Sequence, residues 1–423
     1  MPIRRLWPLS LAALALAAVP FAARAAGHEH HAPAAAPAPA GWSELVENLR
    51  TLPARMLAKL PEAQRNDPQI QQEVARLALE TLASTTLETI GGDGDAPQFL
   101  PSIGQVLNIG QPNADTIYRT TTLTPGASYR IRGVRGSLNQ FVLAQVLPQG
   151  VPNARAHLHL DELKVDAAGR YDVLVSPVKP EGYSGDWWEL NPGATRLMLR
   201  MVSADWAGEK SPTIAIERVD RPASRPRPPA ARLEQRLRAL PQQIDFLALM
   251  FVDRFEQLRA EGFVNKVKAF TAPYGPLAGQ FYYEGTYDLA DDEALIVESP
   301  LPAHCPYRSL ILTNEIYETI DWINNHSSLN LAQAAPDSDG KLRIVISAHD
   351  PGVKNWMDTA GHPRGIIQGR WTNCDSQPIP EVRKVKLSGL AGALPADVAR
   401  VTPAEREAIL RERRRAYLER PFW

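Results

Sequence analysis

Cysteine is nearly absent. Cys305 and Cys374 are the only two in 423 residues, which excludes a cysteine-built zinc cluster and leaves room for one intrachain disulfide at most. The sequence leaves open whether the two bond. Charge of one sign is not in excess either. The formal net charge is −1, so the balance gives no reason to expect a nucleic-acid partner. The signatures of common chemistries are missing as well: no G-x-S-x-G elbow, no H-E-x-x-H, no P-loop and no Rossmann G-x-G-x-x-G. These absences remove the usual hydrolase, zinc-protease and nucleotide signatures and leave no cofactor to expect. They do not remove catalysis.

A long apolar run occurs only at the start, in MPIRRLWPLSLAALALAAVPFAARAAGHEHH. Arg4 and Arg5 precede it and Ala23-Arg24-Ala25 follows, the pattern of a secretory signal peptide over residues 1–25. Pro8 and Pro20 interrupt the run, which argues against a permanent span. No Cys lies near the cleavage site, so no lipid anchor is expected. The expectation is an exported protein, periplasmic or secreted, with no stable membrane span after cleavage. Residues 26–41 are rich in Pro, Ala and His and read as a linker, with His28, His30 and His31 in a solvated tail.

The remaining texture alternates. Residues 42–97 read as helical: Asp67-Pro68 is an N-cap with Pro at the first position, and Ile70, Val74, Leu77 and Thr81 follow at helical spacing. Residues 98–220 carry short β-like runs, among them TIYRTTTL, NQFVLAQVL and TRLMLRMV, separated by turn residues. Residues 221–232 (RPASRPRPPAAR) form a Pro/Arg linker of semi-stiff, extended character. A helix over 233–262 follows from apolar residues every three or four positions, with Pro241 set to kink or split it. A second β region spans 270–387, and Thr402-Pro-Ala-Glu405 opens a C-terminal helix over 400–420 with a capping box. The fold class this implies is mainly β with helical additions, as tandem jelly-roll-like β-sandwich domains.

Three polar clusters stand out. His157 and His159 are two apart, so on a strand both imidazoles share a face; two exposed strand histidines are the simpler account, and no metal is expected. Glu315, Glu318 and Asp321 are three apart and would share a helical face, a spacing that fits a solvated acidic face better than a glycosidase carboxylate pair. The densest stretch is DPGVKNWMDTAGHPRGIIQGRW, Asp350 to Trp371. Turn signals bracket Asn355-Trp356-Met357-Asp358, and Ile366 to Trp371 reads as a strand. Such a stretch is either a self-satisfied polar network that fixes loop shape or a pocket wall.

Residues 327–371, with YDLADDEALIVESPLPAHCPYRSLILTNEIYETIDW upstream, resemble the signature of the bacterial family called domain of unknown function 1214. PNADTIYRTTTLTPGASYRIRGVRG and WWELNPGATRLMLR resemble the β-domain that accompanies it, related to domain of unknown function 1254. The resemblance implies tandem sandwiches and no settled activity. Asn113, Asp115, Tyr118 and Arg119 form the polar motif of the first domain, and Asn355, Trp356, Arg364, Arg370 and Trp371 that of the second. If the domains face each other, these residues line a cleft that binds a small polar molecule or glycan. A hydrolase or lyase acting on that ligand class would draw on Asp350, Asp358 and His362 for acid–base work. In the third reading, an envelope structural or assembly protein, both motifs only hold loops.

Overall fold

The turn residues and alternating apolar positions of the sequence become two β-sandwiches with helices packed around them. The computed structural model describes residues 38–147, 157–271 and 279–421; the signal peptide expected over 1–25 and residues 26–37 of the linker lie outside these. Three helices open the described chain: α1 (Trp42–Leu57), α2 (Glu62–Arg65) and α3 (Pro68–Thr86). Asp67 caps α3, its carboxylate accepting the N–H of Gln69 at 2.8 Å. The first strands are β1 (Leu100–Pro101), β2 (Thr116–Thr122), β3 (Tyr129–Val134), β4 (Gln140–Val146), β5 (His157–His159), β6 (Arg170–Ser176), β7 (Asp186–Glu189), β8 (Arg196–Val202) and β9 (Thr213–Arg218). Helices α4 (Ala230–Leu249) and α5 (Arg254–Ala260) follow. Then come β10 (Lys266–Phe270), β11 (Gln280–Asp288), β12 (Glu293–Pro300), β13 (Tyr307–Leu312), β14 (Ser328–Asn330), β15 (Lys341–Ser347), β16 (Trp356–Asp358), β17 (Arg364–Thr372) and β18 (Glu381–Lys386). The chain closes with α6 (Leu390–Ala393) and α7 (Pro403–Leu418).

The two sandwiches are the same design used twice. The first pairs a sheet of order β1-β2-β8-β4-β5 with one of order β7-β6-β3-β9; the second pairs β10-β11-β17-β13-β14 with β16-β15-β12-β18. Each strand of the second half is the ninth after its counterpart in the first. Even the parallel pairs correspond, β6 with β7 and β15 with β16. Phe141, Leu143, Leu197, Leu199 and Met201 fill the first core together with Trp188. Tyr283, Tyr287, Leu310, Leu312, Ile367 and Trp371 fill the second.

The helices form a third core rather than spacers. Leu52 and Met56 of α1, Val74 and Leu77 of α3, and Leu240 and Ile244 of α4 pack together with Ile316 from the second sandwich. The helix expected over 233–262 is two helices, and the break falls at residues 250–253, not at Pro241, which lies inside α4. The Pro/Arg stretch is tied down. Asp93, only 3% exposed at its side chain, pairs with Arg225 at 3.0 Å and Arg232 at 2.8 Å, and Asp95 pairs with Arg221 at 2.9 Å. Ion pairs therefore hold what composition alone reads as a free spacer. Among the described residues no helix is long and apolar enough to cross a membrane.

Candidate functional site

Residues Pro39–Trp423 form one compact unit, and hydrogen bonds of Asn113 and Asp115, just before β2, with Tyr307 of β13 and Asn330 of β14 link the two five-stranded sheets. Strand alternation sorts their side chains. Ile117, Leu199 and Phe141 point into the first core, so Tyr118, Arg200 and Gln140 point out. Likewise Tyr283 and Trp371 point into the second core, so Tyr282, Arg370 and Ser309 point out. Tyr118 lies opposite Arg200 in the first sheet and Tyr282 opposite Arg370 in the second. Each sandwich thus brings a cross-strand Tyr–Arg pair to the junction. The two pairs meet: the charges acting on the Tyr282 phenol are Arg370, Arg200 and Tyr118, and burial raises its pKa above the usual phenol value.

The first-domain motif is anchored here. Asp115 is buried, and its carboxylate accepts from Tyr307 Oη at 2.6 Å, Asn330 Nδ2 at 2.7 Å and Trp206 Nε1 at 2.8 Å. Asn113 Nδ2 donates to Tyr307 Oη at 2.8 Å, so the proton of that phenol is left for Asp115. Burial raises the Asp115 carboxyl above the usual range; the donors from Tyr307, Asn330 and Trp206 pull the other way. Three donors and no acceptor suit an ionised group. Asn113 and Asp115 do reach the second sandwich, but as a closed network.

Hydrogen-bonding capacity is left over around this network. Arg370 is 4% exposed. Its Nη2 donates to Gln368 Oε1 at 2.5 Å, its guanidinium lies 5.5 Å from the Tyr282 ring centroid, and its Nε has no partner among the described residues. No carboxylate pairs with it among the described residues. Gln140 Nε2, Ser309 Oγ and Thr372 Oγ1, on the same outer faces, are also buried without partners. Unmatched buried donors cost about 1–3 kcal/mol each, and a buried cation without an anion costs more.

The signature stretch is mostly architecture. Trp356 Nε1 donates to Ser347 Oγ at 2.9 Å, and the Ser347 hydroxyl donates to the His349 carbonyl at 2.8 Å. In the first sandwich Trp187 Nε1 donates to Ser176 Oγ at 2.9 Å, and Ser176 to the Val178 carbonyl at 2.8 Å. The same corner is built twice. Asn355 Nδ2 donates to the carbonyls of Ala335 and Arg343, Trp371 Nε1 to that of Pro378, and Arg364 pairs with Glu315 at 2.9 Å. The glycines answer to close packing. A Cβ on Gly369 would lie 2.0 Å from Tyr283 Cζ, and one on Gly365 1.9 Å from the Thr313 carbonyl oxygen. Of the motif's side chains, Arg370 faces the junction, with Gln368 beside it on the same face of β17. Arg119 points to the first core side of its sheet, away from the junction; burial lowers its pKa.

Of the proposed acid–base residues, Asp350 and Asp358 feel each other's charge, while His362 faces Glu73 and Arg76. Asp350 pairs with Arg406 at 2.9 Å. Asp358 accepts the Ala360 N–H at 2.7 Å, and burial raises its carboxyl. Burial lowers the His362 pKa, against the pull of the Glu73 charge. Glu315, Glu318 and Asp321 lie in turns and not on a helix. Glu318, 1% exposed, instead joins a group that sequence reasoning missed: Arg76 Nη2 donates to it at 2.7 Å, and Glu80 of α3 stands within 3.7 Å of Arg76. Burial raises Glu80 to about 7. His157 and His159 lie in β5 opposite Ala144 and Val142. No group of three metal-ligating side chains occurs among the described residues.

No family model matches the chain, and no curated protein matches it. Among solved structures it is similar to an uncharacterized protein from Burkholderia cenocepacia, with a TM-score of 0.74 and 24% identity over 82% of this chain and 97% of that one. That likeness establishes a shared fold. A second, to the VPA0106 protein from Vibrio parahaemolyticus, has a TM-score of 0.44 at 13% identity, covers 74% of this chain and 99% of the other, and supports no argument.

Proposed function

We propose that this is an exported binding protein, periplasmic or secreted, that takes a small polar ligand or glycan at the junction between its sandwiches. The observation that carries the reading is Arg370, a buried guanidinium that has no carboxylate ion pair among the described residues and is near Tyr282 and Tyr118. Buried cations are ordinarily paired, and a guanidinium fork matches carboxylates and polar substituents on a ring. Tyrosine faces suit stacking on such a ring. The Cys305–Cys374 disulfide supports export, because such bonds persist in oxidising compartments. Membership of the domain of unknown function 1214 family, on the resemblance of residues 327–371, belongs to the same proposal.

A second reading, a hydrolase or lyase on a carbohydrate-like substrate, draws on Glu80. A carboxyl titrating at about 7 is in the range a general acid requires. The test is a thermal-shift screen of the mature protein against sugars, uronic acids, organic acids and glycan fragments, followed by turnover assays on any ligand found. A hit whose shift disappears in Arg370→Met supports binding at the junction. A hit that is also converted, and no longer converted by Glu80→Gln, moves the protein to the second reading. No shift with any compound leaves a structural role in the envelope.

A further inference from the structure

A cavity of about 340 Å³ lies beside the junction. The end of α3, the segment over residues 101–107, strand β2 and the end of α7 enclose it. Its walls are mainly apolar, with Leu87, Ile103 and Leu107 among them. Val106 lines it and is 71% exposed, which puts Val106 at the mouth. Such a volume falls within the range of small-molecule sites.

Polar side chains interrupt this apolar wall at Gln105, Thr116, Tyr118, Tyr417 and Arg420, and of these Arg420 alone is charged. Arg420 is 7% exposed. Its Nη2 donates to the Asp115 carbonyl at 2.8 Å, while Nε and Nη1 have no hydrogen-bond partner among the described residues. No carboxylate forms an ion pair with it among the described residues, and the nearby Asp115 carboxylate is taken up by Tyr307, Asn330 and Trp206. Tyr118 Oη accepts the Asn113 N–H at 3.2 Å, which leaves its own proton to donate.

We propose that this cavity binds a small organic carboxylate with an apolar tail, its head group against Arg420 and Tyr118 and its tail against Leu87, Ile103 and Leu107. A carboxylate supplies the counter-charge that Arg420 lacks among the described residues, and apolar walls reward an apolar body. A sugar satisfies neither, so this site is separate from the polar junction, and Tyr118 is the wall between them. The inference does not depend on the junction reading.

Calorimetric titration of the mature protein with octanoate, against octanol and acetate, tests it. Octanoate binds with a dissociation constant below about 1 mM, and octanol and acetate each bind at least about tenfold more weakly. Ala83→Phe, on an exposed position of α3 that lines the cavity, fills the space and weakens octanoate by about tenfold or more. Arg420→Gln does the same by removing the charge. If Arg420→Gln does not fold, Ala83→Phe and the octanol comparison decide. Absence of octanoate binding, undiminished binding in Ala83→Phe, or octanol binding as tightly as octanoate each overturns the proposal. Ala83→Phe leaves uronic-acid binding at the junction unchanged, so the two sites can fail separately.

Discussion

The Asp115 carboxylate of the first sandwich and the Tyr307 phenol of the second are joined by a 2.6 Å hydrogen bond, and both groups are buried. That bond crosses from one half to the other, with Asn330 and Trp206 donating to the same carboxylate. Asp115→Ala leaves these donors unmatched and is expected to cost about 3–5 kcal/mol of unfolding free energy. Tyr307→Phe removes one donor and is expected to cost about 1–3 kcal/mol. Urea denaturation of the two single variants and the double variant checks both values. Because the residues touch, the losses fall short of additive.

The junction arginine behaves in the opposite way. Arg370→Met exchanges a buried, uncompensated guanidinium for an apolar side chain that can fill much of the same space. Such exchanges are often neutral or stabilising by about 1–4 kcal/mol. The midpoint of urea unfolding for Arg370→Met is expected to equal or exceed that of the native protein. A residue kept for packing would give a lower one.

Glu80 makes stability depend on pH. Burial raises its carboxyl from 4.5 to about 7, so between these values the folded state holds a proton that the unfolded state has released. The contribution is complete below about 4.5 and is lost as pH rises through about 7. Glu80→Gln keeps an oxygen for the Asn108 N–H, which Glu80 accepts at 2.6 Å, and cannot ionise. The native protein should therefore lose stability relative to Glu80→Gln between these pH values. Melting curves of both proteins across that range measure it.

The repeated Trp–Ser corner predicts matched losses. Trp356→Phe and Trp187→Phe each remove one indole donor to a serine that keeps its own bond to a carbonyl. Each is expected to cost about 1 kcal/mol beyond lost area, and the two should add, since they share no partner. Chemical denaturation of the single and double variants checks this.

The Cys305–Cys374 disulfide spans 69 residues of sequence and joins the start of β13 to the end of β17. Removing it as a Cys305→Ala, Cys374→Ala pair is expected to cost about 2–4 kcal/mol. The midpoint of thermal unfolding should fall, and a reductant should lower the native protein's midpoint towards that of the variant.

What the sequence disclosed was local. Asp67-Pro68 and Thr402 to Glu405 marked helix starts because capping needs only residues three apart. The β texture of both regions was legible for the same reason, since alternation is a property of neighbours. That β8 lies between β2 and β4, and β17 between β11 and β13, was not legible, because sheet order depends on contacts far apart in sequence. Asn113 and Asp115 stood out as polar residues and were read as ligand-binding, while their partners Tyr307, Asn330 and Trp206 were out of reach of pattern reasoning. Trp356 looked like a pocket residue until its twin, Trp187, showed the same hydrogen bond. Glu80 and Arg420 gave no signal at all: Glu80 sits in a charged helix and Arg420 just past the end of α7, and only tertiary packing buries them.

The most direct test of the junction as a ligand site is the melting point of native protein and Arg370→Met, each with and without a uronic acid or organic acid selected by screening. The account predicts a rise for the native protein, no rise for Arg370→Met, and an unliganded variant at least as stable as the native chain. Equal rises in both proteins, or a variant that is badly destabilised and still binds, would contradict it.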